Sequence, residues 1–305
     1  MSRRRPKGRN VDGIVVLDKA SGLSSNAALQ QVKRLFEAAK AGHTGSLDPL
    51  ATGVLPLCLG EATKVSQFLL DADKNYRARI KLGVRTDSGD SEGEVIAECN
   101  SIRVSREDIS RALRAFSGEI VQLPPMYSAL KKDGVPLYKL ARQGKTVDRE
   151  PRRVTVHRIE LTAYVDDEFE VEIECSKGTY IRTIADDLGQ KLGCGAHIVA
   201  LRRTAAGVFS DSDSVTLESL QAEKEQGGLT EIDAHLIAMD TAVSNLPEVR
   251  LPEETASHVR NGQAVLVRHL PAEGLVRLYE DEQFIGIGVI DEDGKVAPRR
   301  LLVSH

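Results

Sequence analysis

The chain contains no tryptophan, and aromatic residues make up only 4% of it. That scarcity argues against a sheet of stacking aromatics of the kind that reads single-stranded RNA, so any nucleic-acid binding must lean on charge and shape. Cysteine is sparse too. Cys58, Cys99, Cys175 and Cys194 form no CxxC pair, which excludes a zinc ribbon or a thioredoxin-type motif built from local spacing. Reduced, buried thiols in the cytoplasm are expected. No apolar run approaches the length of a membrane span, and the Arg-rich start leads only into the short Ile14 to Leu17 stretch, so neither a membrane helix nor a signal peptide is expected.

What is present is a chain of 305 residues, 41% hydrophobic and 28% charged, enough to fill one large core or two smaller ones. The net charge of −4 conceals an uneven distribution. Residues 1 to 10 carry Arg3, Arg4, Arg5, Lys7 and Arg9 with no acid, a basic N-terminal tail. From Lys131 to Arg158, nine basic residues face three acids, a local balance of +6. From Asp211 to Arg250 the balance is −7, and with Gln226, Gly227 and Gly228 this stretch reads as a spacer between domains. The basic stretch is either a solvated face or an RNA-binding surface.

The pattern of elements is mixed. A strand at Gly13 to Leu17 precedes a helix capped by Ser24 or Ser25, with Leu29, Val32 and Phe36 at helical spacing and Gly42 as its stop. A second helix follows Ser105, with Ile109, Leu113 and Phe116 on one face. Tyr76, Ala78, Ile80 and Leu82 alternate with basic residues, and Phe169, Val171, Ile173 and Cys175 alternate with glutamates, as in antiparallel strands buried on one face. From Leu251 onward, short strands such as Phe284 to Ile290 suggest a small β-rich domain.

One segment, GHTGSLDPLATGVLPLCLGEATK from Gly42, has no periodicity, several glycines and an Asp-Pro pair, yet is too apolar for a free surface loop. Asp48 within it is either an Asx-turn residue or a carboxylate set among apolar neighbours for a purpose. No Gly-Lys-Ser/Thr follows at P-loop spacing, which disfavours an NTPase.

This segment resembles the catalytic motif of bacterial tRNA pseudouridine-55 synthases of the TruB family. Lys74 to Ala78 (KNYRA), Pro124 to Leu130 (PPMYSAL), Cys175 to Thr183 (CSKGTYIRT) and Leu201 to Thr204 (LRRT) resemble further family motifs in the same order. The resemblance covers about residues 11 to 210, and Ile285 to Arg300 resembles the family's PUA-like domain. Ala20 stands where the family usually has Pro, and Ser88 where Thr is usual.

The resemblance implies an α/β (α+β) pseudouridine synthase fold, a mixed and largely antiparallel sheet flanked by helices. It divides the chain into the tail 1–10, a catalytic domain 11–245 with a basic insertion at about 124–153, and a PUA-like β domain 246–305. It further implies isomerisation of uridine 55 in the T loop of tRNA without guide RNA, by a monomer, with a possible accessory role in tRNA folding. The isomerisation needs no redox cofactor or metal, and neither a dinucleotide fingerprint nor clustered His/Cys ligands are present. It does need an ionised carboxylate, as nucleophile or base, and Asp48 is the candidate.

The other residues carried over each have an ordinary reading beside the implied one. Tyr76, in phase with a buried strand face, is by default a core residue; the resemblance makes it stack on the target uracil. Tyr180 and Leu201 are packing residues, or walls of the uracil pocket. Arg182 is a sheet-edge charge, or the bidentate ion-pair partner that keeps Asp48 ionised. His43 is a turn residue, or a group that enters the RNA loop and displaces the nucleotide. Lys19, Lys64 and Asp90 are candidate RNA contacts, as are Lys139, Arg142 and Lys145 on the basic insertion. Two rival functions share part of this pattern: a non-catalytic RNA-binding or RNA-folding protein, and a synthase acting on another RNA or within a guide-RNA complex.

Overall fold

A computed structural model describes residues 8–268, 270 and 273–303. Arg3, Arg4, Arg5 and Lys7 of the basic tail lie outside the described residues. Arg9 does not behave as part of a tail: its guanidinium is paired with Asp233 and bonded to the Phe36 carbonyl.

The larger sheet runs, edge to edge, through Gly13–Lys19, Thr52–Leu59, Ala196–Ala206, Lys74–Leu82, Glu168–Cys175, Arg152–Val165 and Gly118–Gln122, with two short strands attached at its side. Every pair along this path is antiparallel except Thr52–Leu59 with Ala196–Ala206. The expected mixed, largely antiparallel sheet is therefore present. Lys74–Leu82 and Glu168–Cys175 alternate as their sequences require, with Ala78, Ile80, Val171 and Ile173 in the core and charged residues on the other face. Thr52–Leu59 does not alternate, because helices and strands cover both of its faces and seven of its eight residues are buried.

Helices Ser25–Leu35, Ile181–Lys191 and Arg106–Leu113 contribute Val32, Ile184, Leu188 and Ile109 to the main core. Ser24 accepts from the Ala27 amide to start the first, and Ser105 with Asp108 forms a capping box at Arg106–Leu113. The first helix ends at Leu35, well before Gly42. Glu37 takes the left-handed conformation (φ 52°), and Gly42 sits in the short strand Ala41–His43. The stretch Asp211 to Arg250 is not a bare spacer. Two helical segments within Leu217–Asp233 meet at Gly228 (φ 70°) and bury Leu217, Leu220 and Ile232 in the main core.

A second, five-stranded sheet orders Glu248–Leu251, Gly274–Glu280, Gln283–Ile290, Lys295–Leu301 and Val265–Leu266 over its own core of Val276, Leu278 and Val296. It is fastened to the first body by Tyr279 Oη on Asp240 at 2.6 Å and by Lys64 Nζ on the Leu301 carbonyl at 2.9 Å. Among the described residues no helix is long and apolar enough to cross a membrane.

Candidate active site

The site is assembled at one end of the central strands. Asp48 lies on the loop between Ala41–His43 and Thr52–Leu59. That loop is fixed from below: Ser25 Oγ receives the Leu47 amide at 2.7 Å and donates to the Leu47 carbonyl at 3.0 Å, while Leu47 and Ala51 are buried. Gly53 (φ 98°) follows where the parallel strand passes so close that a Cβ would stand 2.2 Å from the Arg203 carbonyl.

Arg182, at the start of Ile181–Lys191, meets the Asp48 carboxylate with Nε 2.9 Å from Oδ2. The guanidinium is 5% exposed, and its terminal nitrogens donate to the carbonyls of Ser88 at 2.8 Å and Tyr127 at 2.7 Å. The expected pair of bidentate hydrogen bonds to Asp48 is not formed; the contact is this Nε–Oδ2 ion pair, and the terminal nitrogens also tie down two other loops. Asp90 Oδ2 lies 3.6 Å from the same guanidinium. Asp90 is buried and bonded to Ser88 Oγ at 2.6 Å, so it braces Arg182 from inside and is not an exposed RNA contact. Ser88 retains the hydroxyl that this loop needs. Gly89 (φ 76°) lets the loop approach, since a Cβ there would stand 3.3 Å from that of Arg182.

Burial pushes the Asp48 carboxyl above its usual range, Arg182 pulls it down, and Asp90 pushes it up again. The upward direction holds, softened by solvent, because 40% of the side chain remains accessible.

These groups line a cavity of about 420 Å³, a volume ordinary for a small-molecule or nucleotide site. Asp48, Tyr76, Tyr180, Arg182 and Leu201 all border it. Tyr76 and Leu201 come from paired neighbouring strands, and Gln122 holds the Tyr180 backbone through bonds of 3.0 and 3.2 Å. Sequence reasoning missed Arg203, Lys74, Ser128 and Arg152, which also border the cavity. Arg203 is 1% exposed, donates to the Val54 carbonyl at 2.6 Å, and sits opposite Tyr76 in strand register. Lys74 is buried on the carbonyls of Leu69, Leu70 and Ala72, and burial pulls its ammonium down to about 8. The LRRT and KNYRA segments contain both residues, but a basic residue in a strand gives no sign that it faces inward.

The remaining candidates separate. His43 does not border the cavity; its Nδ1 is buried without a partner, and burial beside Arg203 lowers its pKa, favouring the neutral ring. Lys19 is fully buried with its ammonium on the carbonyls of Ala20, Leu23 and Pro49, so it cannot reach a phosphate. Lys64 is engaged by Glu61 and the Leu301 carbonyl, which makes it a fastening of the second sheet. Lys139, Arg142 and Lys145 are exposed on the insertion and, among the described residues, form no ion pair. Arg152, Arg153 and Arg158 of the basic stretch belong to the strand Arg152–Val165, and the last two are paired with Glu119 and Glu160.

A carboxylate anchored to a buried arginine inside a nucleotide-sized cavity defines a carboxylate-dependent enzyme rather than a passive scaffold. Comparison with known proteins identifies which. The model of the TruB family pseudouridylate synthase N-terminal domain matches residues 33–181, that of the tRNA pseudouridylate synthase B C-terminal domain 182–244, and that of the pseudouridine synthase II TruB C-terminus 247–302. A tRNA pseudouridine synthase B of Tolumonas auensis is 53% identical, covering 98% of this chain and 95% of the relative. One of Pseudomonas fluorescens is 54% identical, covering 97% of each. Among solved structures, an H/ACA RNP bound to a substrate RNA containing 2′-deoxyuridine aligns with a TM-score of 0.73 and 25% identity, over 99% of this chain and 92% of that one. The chain belongs to the TruB family of pseudouridylate synthases.

Proposed function

We propose that this protein isomerises uridine 55 in the T loop of tRNA to pseudouridine, acting as a guide-free monomer in the cytoplasm. The observation that carries the reading is Asp48 held by Arg182 at 2.9 Å in a cavity bordered by Tyr76, Tyr180 and Leu201. Near-complete coverage by relatives that act on tRNA supports the substrate class.

The reaction breaks the bond from the sugar C1′ to N1 of uracil, turns the base, and joins C1′ to C5; the proton on C5 leaves and N1 gains one. The balance involves no outside atom. Asp48 supplies the carboxylate that the sugar or base requires, as nucleophile or base. Tyr76 stacks on the uracil while Tyr180 and Leu201 wall the pocket. His43, neutral and outside the cavity, enters the space that the flipped nucleotide vacates. The exposed Lys139, Arg142 and Lys145 contact phosphates and position the RNA without reading bases. Residues 11–245, with the insertion 124–153, form the catalytic unit and 246–305 a PUA-like β domain. The test is to map pseudouridine in unmodified tRNA after incubation with wild type and with Asp48→Asn, and in an isolated T-arm hairpin with no other RNA present.

A further inference from the structure

Part of the cavity wall has no duty in the reaction just described. Ser128 is 5% exposed, borders the cavity, and its Oγ has no hydrogen-bond partner. A buried hydroxyl without a partner costs free energy, so an unpartnered one at the wall of a binding cavity points to a ligand. Tyr180 borders the same cavity, and the hydrogen bonds it forms run through its backbone to Gln122. Arg152 borders the same cavity, is exposed, and among the described residues has neither an ion-pair nor a hydrogen-bond partner. Ser128, Tyr180 and Arg152 thus border one and the same cavity.

The chemistry of the three groups narrows the ligand. A neutral carbonyl would be satisfied by hydroxyls alone, and an unpaired guanidinium beside it would gain little. Two hydroxyl donors and a planar cation together suit an oxyanion with more than one acceptor oxygen. In an RNA substrate, that group is a phosphodiester. We propose that Ser128, Tyr180 and Arg152 form a phosphate subsite that holds the non-bridging oxygens of a phosphodiester flanking the target nucleotide. The inference rests on the reading of the cavity as the seat of a uridine in RNA.

The subsite would align the chemistry as well as bind. Ser128 follows Tyr127, whose carbonyl holds Arg182 at 2.7 Å, and Tyr180 precedes Arg182 by two residues. A phosphate seated on Ser128 and Tyr180 therefore presses on the two segments that aim Arg182 at Asp48. Flipping a nucleotide rotates its backbone, and a clamp on the adjoining phosphate retains the flipped state.

The experiment uses T-arm hairpins with a single phosphorothioate, as separate Rp and Sp isomers, on the 5′ or the 3′ side of the target uridine. Sulfur keeps the charge but accepts hydrogen bonds poorly. With wild type, one isomer should lower kcat/KM by about fivefold to tenfold through KM, the scale of one charge-assisted hydrogen bond. Ser128→Ala should lose about tenfold on the all-oxygen hairpin and show no further loss with that isomer. Arg152→Ala, at an exposed position that puts folding at little risk, should raise KM by about tenfold, with partial recovery in Arg152→Lys. A merely structural role for Ser128 would lower all hairpins equally. If no isomer is discriminated by wild type, or Ser128→Ala and Arg152→Ala keep the full discrimination, the subsite is refuted while the enzymatic reading stands. Failure of wild type to convert the all-oxygen hairpin would overturn both.

Discussion

Arg182 meets the Asp48 carboxylate with Nε 2.9 Å from Oδ2. Ser88, Tyr127 and Asp90 fix the arginine from three other directions.

This geometry makes Arg182→Lys a severe change. An ammonium can neutralise Asp48, but it cannot reach Asp48 and the carbonyls of Ser88 and Tyr127 at the angles a planar guanidinium provides. Single-turnover rates at saturating tRNA should fall by about a hundredfold or more, with tRNA affinity changed far less. A wild-type rate would show that the arginine only neutralises.

Asp48 also sets the acid limb of the pH profile. Its carboxyl is pushed above the ordinary carboxylate range, so the ionised form, and with it kcat/KM, declines at a higher pH than a solvent-exposed aspartate would give. Asp90 contributes to the upward push, so Asp90→Asn should move the acid limb to lower pH even as the weakened hold on Arg182 reduces the maximum rate. An acid limb that shifts upward in Asp90→Asn would contradict this electrostatic account.

Lys139, Arg142 and Lys145 are exposed and unpaired among the described residues, which leaves their charges available to RNA. Neutralising all three should weaken tRNA binding and flatten its salt dependence, by up to about one unit of log–log slope per lost phosphate contact. Binding measured from low to high salt with an unchanged slope would remove these residues from the interface.

RNA remodelling should be separable from chemistry. Asp48→Asn retains the pocket walls, His43 and the insertion, so it should still raise the reactivity of the tRNA T loop to chemical probes. The triple neutralisation should lose that effect. A T loop that stays protected with Asp48→Asn would mean that flipping needs the Asp48–Arg182 pair, and would end the case for an accessory tRNA-folding role.

The alternating strands through Tyr76 and Val171 were legible because each buries one face, and the helix after Ser105 because its cap is local. Thr52–Leu59 was not, since burial on both faces erases periodicity and makes a strand look like an irregular apolar segment. Charged residues misled most. Lys19, Lys64 and Asp90 belong to types that contact RNA on a surface, yet here each also holds a partner distant in sequence: the carbonyls of Pro49 and Leu301 for the lysines and Arg182 for Asp90. Ser128 and Arg152 lie in segments the sequence marks, the PPMYSAL motif and the basic stretch, but neither is singled out there, because an unsatisfied hydroxyl and an unpaired cation are defined by three-dimensional neighbours.

The most direct test compares wild type with Asp48→Asn on unmodified tRNA, mapping pseudouridine at position 55 and measuring tRNA affinity in parallel. The amide keeps the side chain's volume but removes the reactive carboxylate, so product should be abolished while affinity stays within about tenfold. Appreciable pseudouridine made by Asp48→Asn would contradict the assignment of Asp48, and none made by wild type would contradict the function itself.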